Sequence, residues 1–126
     1  MDGRLMVMAV CALVAIAFVA LGVPLVRRSV PPNWVYGFRL PQTVNDPALW
    51  YPANEYAGRW MIAIGIGMLA AAVAGYFTPL SLDVYAITVV AIAGGGAMAM
   101  LVACLVWLTR RLRSRSTTPG TSDRAT

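Results

Sequence analysis

The chain has 126 residues, 60% of them hydrophobic and 12% charged. A soluble domain carries roughly 25% charged residues, so the deficit excludes an ordinary soluble fold and points to the bilayer. The net charge of +5 rests on ten arginines, with no lysine or histidine, and these cluster at the ends of apolar runs and in the tail, a pattern of membrane topology rather than of nucleic-acid binding.

Without histidine the chain lacks the commonest metal ligand and the commonest neutral-pH general base. Cys11 and Cys104 lie in separate apolar runs. Two thiols without histidine make no ordinary four-ligand zinc site, so they read as small packing residues. No nucleophile–base pair stands out. The expectation is therefore a protein that is not an enzyme and needs no cofactor, in one compact unit.

The first apolar run, residues 5–26, is uncharged. As a helix it spans about 33 Å, enough for a hydrocarbon core of about 30 Å. A cleavable signal would have a shorter apolar region, roughly 7–15 residues, and its basic flank on the other side. Arg27 and Arg28 follow the run, so it reads as a retained span.

Residues 27–59 form a long polar loop containing Pro31, Pro32, Pro41, Pro47 and Pro52. Such prolines fix φ and hold the preceding residue extended. Trp34, Trp50, Tyr36, Tyr51 and Tyr56 argue against disorder, and long ordered loops are usually functional. Asp46 and Pro47 suit a helix start. Pro52 is expected to kink or restart that helix. Trp50, Asn54 and Gly58, four residues apart, would share one helix face.

The second run, residues 60–77, ends in a tight turn at Thr78, Pro79, Leu80 and Ser81. Ser81 or Asp83 can cap the third run, residues 84–109. The tail, residues 110–126, holds five arginines among Ser, Thr, Pro and Gly and is expected to be disordered beyond about one turn.

The fold class is thus an all-α integral membrane protein: three transmembrane helices with a long Pro/aromatic-rich loop between the first and second. The loop side carries nine of the ten arginines, the other side Arg4 alone. The positive-inside rule places such a chain in the plasma membrane with its N-terminus outside and its loop and C-terminus cytoplasmic. Trp60 and Trp107 would mark the inner interface, and Tyr76, Phe77 and Tyr85 the outer one.

Small residues recur every fourth position at Ala63, Gly67, Ala71 and Gly75, and again at Ala91, Gly95, Ala99 and Ala103. Such stripes let backbones approach closely in lipid. The tight turn between the two spans predicts that the stripes face each other; a homodimer seam is the rival reading. No ionisable residue lies inside a span, which lowers the expectation of a coupled transporter.

Within the loop, Arg39 follows a Tyr36-Gly37 turn and is fenced by Pro41. A guanidinium held this way suits bidentate contact with a carboxylate or phosphate, with Glu55 or a lipid as partner. Asn54 would reach backbone brought close by the bare Gly58. The alternative is a purely structural lid, with Asn33 and Asn54 capping backbone groups and Arg39 on a lipid phosphate.

The order Pro31-Pro32-Asn33, Tyr36-Gly37, Arg39, Pro41, Thr43, Trp50, Ala53-Asn54 and Gly58 resembles the signature of the SdpI-type immunity protein family, over roughly residues 25 to 110. Leu40 and Pro52 depart from that pattern. The resemblance implies a small bacterial membrane protein and assigns Pro32, Asn33, Tyr36, Gly37, Arg39, Pro41, Thr43, Trp50, Asn54 and Gly58 as partner-binding residues. The founding member protects its producer from a secreted membrane-active peptide toxin, and it holds a transcriptional repressor at the membrane. It has additional membrane segments, and the present chain looks like the shared core. The partners implied are the lipid bilayer, a peptide toxin and a cytoplasmic protein regulator, with no nucleic acid. An oligomeric transport or permeability component is the alternative; it calls for polar span linings, and Thr88 is the one polar residue well inside. An accessory subunit of a larger membrane complex is a third reading.

Overall fold

A computed structural model describes residues 2–117, folded as helices α1 (Gly3–Val26), α2 (Pro41–Val44), α3 (Pro47–Phe77) and α4 (Leu82–Ser116). Three of these, α1, α3 and α4, are long and apolar enough to cross a membrane. Each starts at a side-chain cap. Asp2 accepts the Arg4 N–H, Asp46 the Ala48 N–H and Ser81 the Val84 N–H, satisfying amide donors that the helix leaves orphaned.

The second and third spans are longer than their apolar runs. Helix α3 has 31 residues and α4 has 35, or about 46 and 52 Å at 1.5 Å per residue, against a hydrocarbon core of about 30 Å. The short turn at residues 78–81 ties them at one end, so the excess projects at the other, beside the loop. The loop proper is therefore residues 27–46, because residues 47–59 belong to α3.

Two expectations are corrected here. Pro52 lies within α3, and the helix runs through it. It falls in the second turn, where the only helical bond its missing N–H forfeits is the one to Ala48 O, and its fixed φ is already helical. Residues 110–116 are helical as well, continuing α4. Arginine is a good helix former, and Arg113 and Arg115 in the last turn complement the helix dipole. The remainder of the expected disordered tail, residues 118–126, lies outside the described residues.

The spans pack differently from the sequence expectation. The closest backbone approach is between α1 and α3. A methyl added at Gly22 would stand 2.8 Å from Gly58 O; one at Gly58, 2.7 Å from Gly22 O; one at Gly65, 2.7 Å from Ala15 O. Ala15 and Gly22 are seven residues apart, as are Gly58 and Gly65. That 3.5-residue period is the geometry of a left-handed, small-residue helix seam.

The α3–α4 contact is offset by one residue from the expected stripes. Ile64, Met68, Ala72 and Gly75 of α3 are buried, with Tyr85, Val89, Cys104 and Leu108 of α4. Ala93 and Met100 pack on the Ala15–Ile64–Met68 core, and Gly96 meets the Ile64 side chain. Gly67 and Gly95 touch nothing within 4 Å of where a Cβ would stand, and Ala63, Ala91 and Ala99 are exposed. Of the three stripe glycines only Gly75 sits in a tight contact, 2.5 Å from the Tyr85 ring for an added methyl. Large side chains at Ile64 and Met68 rotate the buried face away from the four-residue repeat. Tyr85, expected in an aromatic belt, is 1% exposed and donates its hydroxyl to Ala72 O at 2.6 Å.

Candidate functional site

The loop folds back as a lid on the ends of α1 and α3. It begins where α1 stops. Arg28 N–H bonds to Leu25 O at 3.1 Å and Ser29 N–H to Pro24 O at 3.1 Å, the paired bonds of a Schellman cap. Arg28 occupies the left-handed position of that cap, with φ 56°, where glycine is the usual residue. A side chain there costs about 1–2 kcal/mol. Its guanidinium reaches Glu55 Oε2 at 2.6 Å, and Arg59 holds Glu55 Oε1 at 2.8 Å.

The residues that carry the resemblance come next, and five of the ten, Asn33, Arg39, Thr43, Trp50 and Asn54, bond to the lid's own backbone. Asn33 Oδ1 accepts the amides of Val35 and Tyr36 at 2.8 and 2.7 Å, and its Nδ2 donates to Pro31 O at 2.8 Å. Tyr36 donates its hydroxyl to Leu21 O of α1. Arg39 Nη1 donates to the carbonyls of Trp34 and Val35 at 2.6 and 2.8 Å. Pro32 is half-buried beside them, and Pro41 opens α2 at its first position. Thr43, fully buried, accepts the Leu40 N–H at 3.0 Å and donates to Phe38 O at 3.1 Å.

Trp50, Asn54 and Gly58 do share one buried face of α3. Trp50 is fully buried and donates Nε1–H to Val30 O at 2.8 Å. Asn54, 2% exposed, accepts the Phe38 N–H at 2.5 Å and donates to Trp50 O at 3.0 Å. The lid is thus clamped to α3 through two buried side chains, the Trp50 indole and the Asn54 amide. Gly37, at φ 111°, lies against it, and any side chain there would collide with Asn54 Oδ1.

Two contacts expected from the sequence are replaced. Arg39 does not meet Glu55, because Arg28 and Arg59 occupy that carboxylate and Arg39 turns back onto the loop carbonyls. The bare backbone beside Asn54 belongs to Gly37, whereas Gly58 faces Gly22 of α1. The lid's exposed tip is instead apolar. Trp34 is 58% exposed and Val35 85%.

Three further arginines complete this end. Arg115 of α4 pairs with Asp46 Oδ2 at 2.6 Å. Its hydrogen bond holds the Asp46 carboxyl below the usual carboxylate range. Arg111 lies over the Trp107 ring, 5.9 Å from its centroid, and Trp107 stacks on Tyr56 of α3 at 6.2 Å. Arg110 rims the same surface. At the opposite end, Arg4 donates to Gly75 O and Leu80 O, each at 2.6 Å, to Tyr76 O at 3.1 Å and to Thr78 O. These are carbonyls that end α3 and form the turn after it, and a cation there also meets the negative end of the dipole. Sequence reasoning treated Arg4 and Arg28 only as topology charges and gave Glu55 to Arg39. The lone arginine at the end of a long span was the available signal for the first.

These features define a three-span membrane protein with a structured lid at one end. The SdpI/YfhL protein family model matches residues 29–108, covering the lid and the second and third spans, and the chain belongs to that family. Neither a curated protein nor a solved structure matches the chain.

Proposed function

We propose that this chain is a non-enzymatic immunity protein of the plasma membrane, which shields its cell from a membrane-active peptide toxin and docks a cytoplasmic protein regulator on the lid. One observation supports this reading above the rest. Asn33, Arg39, Thr43, Trp50 and Asn54, which carry the family resemblance, hold one hydrogen-bonded lid whose exposed tip is Trp34 and Val35. Apolar residues on a rigid support are what a protein contact uses for its anchors. Asn33, Arg39 and Asn54 then shape the contact surface without touching the partner. The arginine excess on the lid side supports a cytoplasmic lid and C-terminus, with the N-terminus outside.

The test is survival of a toxin-susceptible bacterium expressing the chain, at matched membrane levels, under challenge with a membrane-active peptide. A cytoplasm-dependent reporter after Thr126 fixes the orientation in the same strain. Protection is expected, reduced by Trp34→Ser with Val35→Ser and abolished by Gly37→Val. Equal survival with and without the chain overturns the immunity reading. An inactive reporter overturns the orientation.

A further inference from the structure

Toward the lid side, a mostly apolar groove of about 930 Å³ runs along α3 and α4. Tyr56 and Trp60 form one wall, and Gly95, Ala99 and Ala103 form the floor. The floor is bare, since a Cβ at Gly95 would have no neighbour within 4 Å. At the lid end the groove closes on Trp107, with Arg110 and Arg111 at the rim.

The groove does not stop there. Tyr56, Trp107 and Arg111 also line a second, polar pocket of about 270 Å³, whose other walls include Arg28, Glu55 and Arg59. That pocket holds three guanidiniums and one carboxylate. Glu55 is committed to Arg28 and Arg59, and Asp46 to Arg115. Among the described residues no carboxylate forms an ion pair with Arg110 or Arg111. Arg28, the one non-glycine residue with positive φ among the described residues, lines this pocket.

An apolar slot that ends in surplus positive charge is complementary to an amphiphile with an anionic head. We propose that the groove binds an anionic phospholipid from the leaflet on the lid side. The acyl chain lies along Gly95, Ala99 and Ala103. The phosphate sits by Arg110 and Arg111, which present guanidinium forks to its oxygens. Basic pockets between spans are suited to such headgroups. A second copy of the chain is the competing occupant of the small-residue floor. Membrane insertion would make that pairing parallel, and two-fold symmetry would set Arg110 and Arg111 against their own counterparts. The lipid neutralises the charge that a second copy would double.

The experiment is native mass spectrometry of the full chain released from detergent, titrated with phosphatidylglycerol or phosphatidylcholine of the same acyl chains. One bound phosphatidylglycerol is expected, preferred on the order of tenfold, given a modest electrostatic gain per arginine. Arg110→Gln with Arg111→Gln should remove the preference, bringing phosphatidylglycerol binding down to the level of phosphatidylcholine. Gly95→Leu fills the floor without a clash and should weaken both lipids. Equal binding of the two lipids by the unaltered chain overturns the proposal, as does an unchanged preference in the arginine variant. Dimers without retained lipid would assign the groove to a second copy.

Discussion

Asn54→Ala isolates the clamp between lid and span. Its amide is 2% exposed and accepts the Phe38 N–H at 2.5 Å. The carbonyl of Trp50 keeps its helical partner when Asn54 is truncated, so the main loss is the Phe38 donor. Leaving such a group unpaired costs about 1–3 kcal/mol, and a half-buried position sets the value near 2. Lid opening should then rise on the order of 30-fold, since about 1.4 kcal/mol is a factor of ten. Arg39→Ala removes two bonds to the carbonyls of Trp34 and Val35, both exposed. Water replaces it there, and about 0.5–1 kcal/mol, a few-fold, is expected. Hydrogen exchange of peptides covering residues 33–46 reads both variants in detergent. Exchange in Asn54→Ala within twofold of the unaltered chain, or a larger opening in Arg39→Ala, would refute the buried-amide argument.

The remaining predictions concern helix contacts and charge. Gly58→Leu should destabilise the protein in detergent by about 3 kcal/mol or more, because its Cβ meets Gly22 O at 2.7 Å and overpacking typically costs 1–3 kcal/mol even where side chains can shift. Gly67→Leu, into open space, should be close to neutral in the same thermal melt. Arg4→Met should fray the end of α3, read as faster exchange at residues 75–80, because four carbonyl contacts are lost together. The Asp46 carboxyl is held below its ordinary value by Arg115, so the contribution of that contact is fully present above the ordinary aspartate range and is lost as pH falls through the lowered folded value. Protection of residues 110–116 should follow that course, and Asp46→Asn should weaken it at neutral pH but make little difference once the carboxyl is protonated.

The spans and the caps at Asp46 and Ser81 were legible because each depends on a local signal. An uncharged run is long enough to cross lipid, and Asp46 followed by Pro47 has a fixed meaning at a helix start. The face that each span buries was not legible in the same way. Gly67 and Gly95 satisfy the four-residue rule, yet Ile64, Met68 and Gly96 carry the contact, because filled volume rather than spacing settles the rotation. The seven-residue pairs Ala15/Gly22 and Gly58/Gly65 were in the sequence, but they gain meaning only once α1 is known to lie against α3. In the lid, the type of each residue was readable and its partner was not. Arg39 and Glu55 are a sensible pair on charge alone. Arg28 takes Glu55 because the cap of α1 turns it there, a consequence of backbone geometry that no charge pattern records.

The seam between α1 and α3 also bears on the order in which the molecule is assembled. The chain emerges from its N-terminus, so α1 is complete before any residue that fixes its place exists. Gly22 waits for Gly58, Ala15 for Gly65, and the Arg4 guanidinium for the carbonyls of residues 75–80. Until then neither the α1–α3 crossing nor the Arg4 contacts exist. The final station of α1 is set only as the second span is synthesised, the Gly22–Gly58 crossing forming first and the Arg4 grip last. The seam between α1 and α3 can therefore close before α4 has been made.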